Sequence, residues 1–317
     1  MSDSYFTIVN PAAGGGRCGK LAPGALERLR VAGLALEVRE THAPGEATVL
    51  ANGAYADGFR KFIAVGGDGT SFEIVNGIFP DAAGGGRASL GFLPLGTGNS
   101  FLRDFIQNGA DLAEFGIQAI LAGRSRRCDV IRLDHSGGSI FYINTLNMGF
   151  AADVATLTNR HLKFLGEPGY LAGVLVSLAR LRRRPFPLRM DGERDDRRCL
   201  FVAFSNSKYT GGKMMIAPQA AVDSGTIEYV HWGPISRLGL VRNLPKLFTG
   251  EHIQHPMASR RTATRIDFDL KHPVDVVVDG EVLTLDAESP LLRQISADWH
   301  AAMLGAFQHL SRFEWEQ

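Results

Sequence analysis

Along the first 127 residues, short apolar runs alternate with longer stretches in which apolar positions recur at helical spacing. Tyr5–Val9, Leu34–Thr41, Phe62–Val65 and Leu90–Leu93 are the short runs and predict strands. Leu21–Ala32, with Leu21, Ala25 and Leu29 on one face, predicts a helix. Ala47–Ala56, Ser71–Ile78 and Asp111–Ala122 predict three more. Strands alternating with helices specify a parallel sheet with crossover helices. Such sheets bind ligands beyond the carboxyl ends of their strands. Glycines collect at those ends: Gly14–Gly16 after the first strand, Gly66-Gly67-Asp68-Gly69-Thr70 after the third, and Pro94–Asn99 after the fourth.

The texture changes near Cys128. Val130–Leu133, Ile140–Met148, Leu200–Ser205, Thr226–His231, Arg265–Leu270 and Val274–Val278 are strand-like, and few helices intervene. The helical exceptions are Gly169–Leu181 and Leu238–Leu247, and His252–His255 reads as loop. The expected organisation is an α/β domain over residues 1–127 followed by a mostly β domain over 128–294.

Composition narrows the class. With 45% hydrophobic and 21% charged residues in 317, the chain can bury a sizeable core. A formal net charge of +1 provides no global field for nucleic acid, so any basic function is local. Cys18, Cys128 and Cys199 form no C-x-x-C pair and fit a reducing, cytoplasmic setting. Met1–Asn10 lacks the features of a signal peptide, and no run approaches about 18 apolar residues. Visits to a membrane surface stay compatible with this.

The glycine turns carry the chemistry. Glycines let backbone amides approach an anion, and the helix expected after Gly69 turns its unpaired N–H groups toward the same point. Asp68 is unusual there, because a carboxylate repels phosphate. It makes sense if Mg²⁺ sits between them or if Asp68 handles a proton. Alone, such a turn could equally be a tight bend with a solvated acid; three in succession shift the balance. Gly14–Lys20 lacks the spacing of a G-x-x-x-x-G-K-[ST] loop, and no G-x-G-x-x-G follows the first strand.

Together, VNPAAGGG (Val9–Gly16), GGDGTSFEIVNG (Gly66–Gly77) and PLGTGNSFLRD (Pro94–Asp104) resemble the diacylglycerol kinase catalytic-domain family, which includes bacterial lipid kinases, sphingosine kinases and ceramide kinases. NMGFAADV (Asn147–Val154), KFLGEPGY (Lys163–Tyr170) and Asp279-Gly280-Glu281 extend the resemblance over most of the chain. It implies an N-terminal α/β nucleotide domain of NAD kinase/diacylglycerol kinase type, completed by residues 295–317, and a C-terminal β-sandwich domain. ATP, with Mg²⁺, and the lipid would meet in the cleft between them. Position by position, Asn10, Gly14, Gly15, Thr41, Gly67, Gly69, Thr70, Glu73, Gly96, Thr97 and Asn99 would line the ATP site, and Lys163 would contact phosphate. Asp68 would act near the transferred phosphate and hold the metal. Asp279 and Glu281 would reach the same cleft. Asp68 or Glu281 is favoured as proton acceptor, with Asp279 assisting. The family's structural Mg²⁺ on a late Asp-Gly turn is doubtful here, because Ser224 precedes Gly225 where an Asp would stand.

The acceptor stays open among diacylglycerol, sphingoid base and ceramide. Asp153 could meet a sphingoid amine, although such an acid more often braces a fold. Leu171, Val174, Leu175, Leu178 and Leu181 form an apolar helical face followed by Arg180 and Arg182–Arg184. This pattern suits a lipid interface, or a core-packing helix with a basic end. Two other functions share the motifs: a small-molecule kinase of NAD kinase type, and an inactive lipid-binding module.

Overall fold

The computed structural model describes residues 4–79, 81–84, 88–106, 111–158, 167–286, 290–295 and 300–301. The chain divides into two compact units, Met1–Asp129 with Ser296–Gln317, and Val130–Ile295.

The first unit runs β1 (Tyr5–Val9), α1 (Arg17–Val31), β2 (Leu36–Glu40), α2 (Glu46–Ala56), β3 (Lys61–Gly66), α3 (Asp68–Ile78), β4 (Ser89–Pro94), α4 (Leu112–Ala122) and β5 (Arg126–Arg127). Its sheet has the order β2-β1-β3-β4, with every pair parallel, and the short strand His300–Ala301 lies between β4 and β5. β1, β3 and β4 are buried at every position after the first, which is why they read as runs rather than alternations. β2, at the edge, ends in exposed Arg39 and Glu40. One core joins Cys18, Leu26 and Leu29 of α1 and Ile117 and Ile120 of α4 to Val9, Ile63, Val65 and Leu93. α1 begins at Arg17 rather than at Leu21. Gly14, Gly15 and Gly16 (φ 64, 66 and 86°) turn the chain so that the Cys18 and Gly19 N–H groups already donate to the Ala13 and Pro11 carbonyls.

The second unit begins with β6 (Val130–His135), β7 (Gly138–Tyr142), β8 (Thr145–Gly149), α5 (Phe150–Leu157) and α6 (Glu167–Ala179). There follow β9 (Arg184–Pro185), β10 (Leu188–Met190), β11 (Glu193–Asp195), β12 (Arg198–Cys199), β13 (Phe201–Ser205), β14 (Tyr209–Thr210), β15 (Met214–Met215) and β16 (Ile227–Trp232). It ends with α7 (Arg237–Asn243), α8 (Lys246–Thr249), β17 (Ala258–Ala263), β18 (Arg265–Phe268), β19 (Val274–Val278), β20 (Glu281–Leu285) and β21 (Leu291–Ile295).

Two antiparallel sheets, β11-β10-β18-β21-β6-β7 and β17-β16-β13-β8-β19-β20, form a β-sandwich. Phe204 of β13 meets Phe268 of β18 edge-on at 5.2 Å between ring centres, one of the contacts that join the two layers. Three local expectations change. The predicted strand Ile140–Met148 is two strands, because the Ile143 and Asn144 N–H groups leave the ladder for the Asp279 carboxylate. The predicted helix Leu238–Leu247 breaks into α7 and α8 at Pro245, which has no N–H to donate. His252 is not in an open loop. It is fully buried in a 3₁₀ turn against Phe201 and Trp232, and its Nε2 donates to the Ile216 carbonyl.

Candidate active site

The sheet order places β1 between β2 and β3, so the chain leaves the carboxyl ends of β1 and β3 in opposite lateral directions. That topology opens a crevice at the strand ends. Three turns meet there. The Asn10 N–H donates to the Val65 carbonyl at 2.9 Å, and the Gly96 N–H donates to the Gly66 carbonyl at 2.7 Å. Arg17 reaches the Gly96 carbonyl at 3.3 Å. Gly96 lies so close to Gly67 that a Cβ on it would fall 2.6 Å from the Gly67 Cα and 2.7 Å from its nitrogen. A Cβ on Gly14 would come within 3.0 Å of the Leu95 carbonyl. These glycines are therefore required by backbone-to-backbone approach as well as by turning. Thr41 joins the cluster, with its N–H and hydroxyl both on the Val9 carbonyl. Asn99, buried at φ 48°, holds the third turn from within by donating to the Pro94 and Gly96 carbonyls.

Asp68 opens α3 directly beside this junction. Its Oδ2 accepts from the Ser100 N–H at 2.8 Å and its Oδ1 more distantly from the Phe101 N–H at 3.4 Å. Burial pushes its carboxyl pKa up; the Ser100 amide and hydroxyl, the Phe101 amide and the Arg103 charge oppose this without cancelling it. The hollow behind it, bounded by Gly67, Ser71, Pro94, Asn99 and Phe101, measures about 10 Å³. That is room for about one water. Ser100 and Arg17 were not singled out from the sequence. Ser100 lies inside the PLGTGNSFLRD motif, which was a signal for it; Arg17 had none beyond its place after the glycines.

The structure thus gathers Asn10, Gly14, Gly15, Thr41, Gly67, Asp68, Gly69, Gly96, Thr97 and Asn99 at one end of one sheet. Two residues expected among them turn their side chains elsewhere. Both Glu73 carboxylate oxygens turn to α2, accepting from the Gly45 N–H at 2.9 Å and the Ala47 N–H at 3.0 Å. Glu73 therefore caps one helix from another, and the neighbouring Gly77 admits the Thr48 carbonyl where a Cβ would collide. The Thr70 hydroxyl is buried against Gly66 without a hydrogen-bond partner. Lys163 lies outside the described residues.

The second unit holds the other acidic candidates. Asp279-Gly280 forms the two-residue turn between β19 and β20, with φ 47° and 94°, the backbone that favours Asp-Gly in tight hairpins. The buried Asp279 carboxylate accepts from the N–H groups of Ile143 (3.0 Å), Asn144 (3.1 Å) and Thr145 (2.8 Å). A polar cluster continues through Ser205, Ser207 and Asn206, with Ser207 on Asn144 and the Asn206 amide on the Ile143 carbonyl. Glu281 begins β20 with an exposed side chain. Asp153 is ion-paired with Arg184, which supports the bracing reading over the amine-binding one. Of the two readings of the α6 apolar face, core packing holds for Val174, Leu178 and Leu181, which pack onto the core around Trp232 and Leu240, while Leu175 is exposed. The Ser224 hydroxyl closes its own turn on Thr226.

A parallel-sheet domain with glycine turns around a buried acid, joined to an antiparallel sandwich, defines a class of kinase. The sequence profile of the diacylglycerol kinase catalytic domain matches residues 4–133, and that of the YegS C-terminal NAD kinase beta sandwich-like domain matches 144–296. "Probable lipid kinase YegS-like" of Chromohalobacter salexigens is 32% identical, over 81% of this chain and 81% of that protein. Diacylglycerol kinase of Staphylococcus carnosus is 27% identical, over 86% and 87%. The same fold occurs in a diacylglycerol kinase structure from Bacillus anthracis str. Sterne, with a TM-score of 0.70, 20% identity and coverage of 96% and 98%. The chain belongs to the diacylglycerol kinase catalytic-domain family and is a lipid kinase with a YegS-type C-terminal domain.

Proposed function

We propose that the protein transfers the γ-phosphate of ATP to the hydroxyl of a membrane lipid, with diacylglycerol the first acceptor to try because several relatives carry that name. The observation that carries this reading is the convergence of three glycine turns on Asp68 at the strand ends. Phosphoryl transfer asks a protein mainly for positioning and for groups that hold developing negative charge. The Gly15, Gly69 and Thr97 N–H groups have no acceptor among the described residues and are suited to phosphate oxygens. Gly15, where a Cβ would meet nothing within 4 Å, leaves the first turn open to a triphosphate.

No group of three or more potential metal-ligating side chains occurs among the described residues. Mg²⁺ would therefore come with the nucleotide, held on the protein side by Asp68 Oδ1, whose only amide contact is the long one to Phe101. When bound, the ion neutralises charge on the phosphates. Asp68, buried beside the three turns, is our first choice to accept the acceptor's hydroxyl proton. Glu281, which begins β20 with an exposed side chain, is the second. Asp279, on three amides, positions the turn before β8.

The test is transfer of label from γ-labelled ATP to diacylglycerol, ceramide, sphingosine and NAD in parallel. Label in one of the lipids is expected. Label confined to NAD would replace this reading with a small-molecule kinase, and lipid binding without any transfer would make the chain an inactive module.

A further inference from the structure

Two stretches of the second unit, residues 169–190 and 232–250, contain eight Arg or Lys and no Asp or Glu, in a chain whose overall charge is +1. The fold brings them together. Arg237, at the start of α7, donates to the Ala179 carbonyl at the end of α6 at 2.7 Å. Leu181, Arg183, Arg198, Ser236, Arg237 and Leu238 line one open hollow of about 590 Å³. Arg198 grips the Arg183 carbonyl through Nε and one terminal nitrogen, which fixes the wall and leaves its other terminal nitrogen to the hollow. Arg180, Arg182, Arg183 and Arg242 have no acidic partner among the described residues. Leu238 of that lining is 58% exposed, and the same two helices expose Val241 (46%), three residues on along α7, and Leu175 (57%) on α6. The inward faces of both helices are already satisfied by the core at Leu178, Leu181 and Leu240.

We propose that this face of the second unit docks on a bilayer containing anionic phospholipid. The hollow receives a phosphate headgroup among Arg183, Arg198 and Arg237, while Leu238 and Val241 enter the acyl boundary. The proposal rests on the lipid-kinase reading only for its purpose, since an enzyme whose acceptor lies in a bilayer gains from being held there. Arg180, Arg182, Arg183 and Arg242, which pair with no acid among the described residues, match an anionic surface, and outward apolar residues match the layer beneath it. An acidic protein would complement the charge but give Leu238, Val241 and Leu175 no apolar layer to enter.

The experiment is sedimentation of the full chain with vesicles of phosphatidylcholine alone or mixed with phosphatidylglycerol. Wild type should bind the mixed vesicles, release on raising salt, and bind phosphatidylcholine weakly. Combining Arg182→Ser, Arg183→Ser and Arg242→Ser should weaken binding to mixed vesicles about 100-fold. Leu238→Ser with Val241→Ser should weaken it too, with no loss of salt sensitivity. All five positions are exposed, so thermal midpoints should stay at the wild-type value. Equal binding to both vesicle types, unchanged binding by both variants, or binding to polyglutamate but not to vesicles would each overturn the proposal. Label transfer to lipid in detergent micelles separates the two readings. If wild type fails there, the kinase reading fails whatever the vesicles show. If all variants transfer normally and still bind vesicles like wild type, the docking surface alone is wrong.

Discussion

Each unit fixes an aspartate on backbone N–H groups, and the two cases differ in what the carboxylate is left able to do. Asp68 sits at a helix start beside glycine turns, with the Ser100 N–H, the Ser100 hydroxyl and the more distant Phe101 N–H as partners, and burial outweighs them so that its pKa is raised. Asp279 sits in a hairpin turn and accepts from three successive N–H groups, all within 3.1 Å. A carboxylate held by three amides is a fastener: its lone pairs are directed, and the charge has its own partners. A carboxylate whose desolvation outweighs its partners retains affinity for a proton or a cation. The two acids look alike in the sequence, each followed by glycine, yet the structure gives them different capacities.

The largest expected effect separates them. Asp68→Asn should reduce transfer to lipid by roughly 10³-fold, within the range for removal of a positioned acid–base group, while the thermal midpoint near neutral pH is kept or rises. The stability comparison has a definite sign. Because the folded-state pKa of Asp68 is raised, the folded protein binds that proton more tightly than the unfolded chain does. Wild type therefore loses stability relative to Asp68→Asn as pH rises from the ordinary carboxylate value through the raised one. A variant with wild-type turnover would remove Asp68 from the chemistry. A stability difference that shrinks with rising pH would contradict the desolvation argument.

Asp279→Ala comes next and should act on stability first. It strips partners from three buried N–H groups at about 1 kcal/mol or more each, so a loss of about 3–4 kcal/mol is expected in denaturant unfolding. Asp279→Asn keeps an acceptor oxygen and tolerates the left-handed backbone, so its loss should be smaller. Should Asp279→Asn keep full stability and yet lose transfer as completely as Asp68→Asn, the contrast between fastener and reactive group would break.

A smaller effect sharpens the first unit's side. Gly96→Ala forces a Cβ against Gly67 backbone atoms that have nowhere to retreat, and about 1–3 kcal/mol of strain is expected. Because the clash separates two of the three turns, KM for ATP should rise while KM for lipid holds. A variant that loses stability but keeps its ATP KM would show that the turns are packed for the fold alone.

These contrasts also mark what could be read from the chain. The α/β order was legible because β1, β3 and β4 are buried on both faces and so lack polar interruption. The three turns were legible because close backbone approach leaves glycine as its trace. The division of Ile140–Met148 was not, because its cause, Asp279, lies far along the chain and acts through N–H groups that carry no residue signature. Nor was the outward side of α6. An apolar stripe of Val174, Leu178 and Leu181 looks the same whether it meets a core or a bilayer, and only the packing around Trp232 decides.

Glu73 gives the finest test, since motif and geometry assign it differently. Its place seven residues after Gly66 in the strongest motif put it at the nucleotide, whereas its oxygens bond to the Gly45 and Ala47 N–H groups at the start of α2. Glu73→Ala removes a helix cap, with an expected cost of about 1 kcal/mol, because two amides at the start of α2 lose their acceptor. If capping is its whole contribution, KM for ATP should match wild type at a temperature where both proteins are folded. The conservative Glu73→Gln should recover part of the stability, since its amide oxygen can still accept one of the two bonds. A rise in KM for ATP with an unchanged unfolding midpoint would return Glu73 to the nucleotide. It would also mean that the α2 contacts are exchanged when the triphosphate binds.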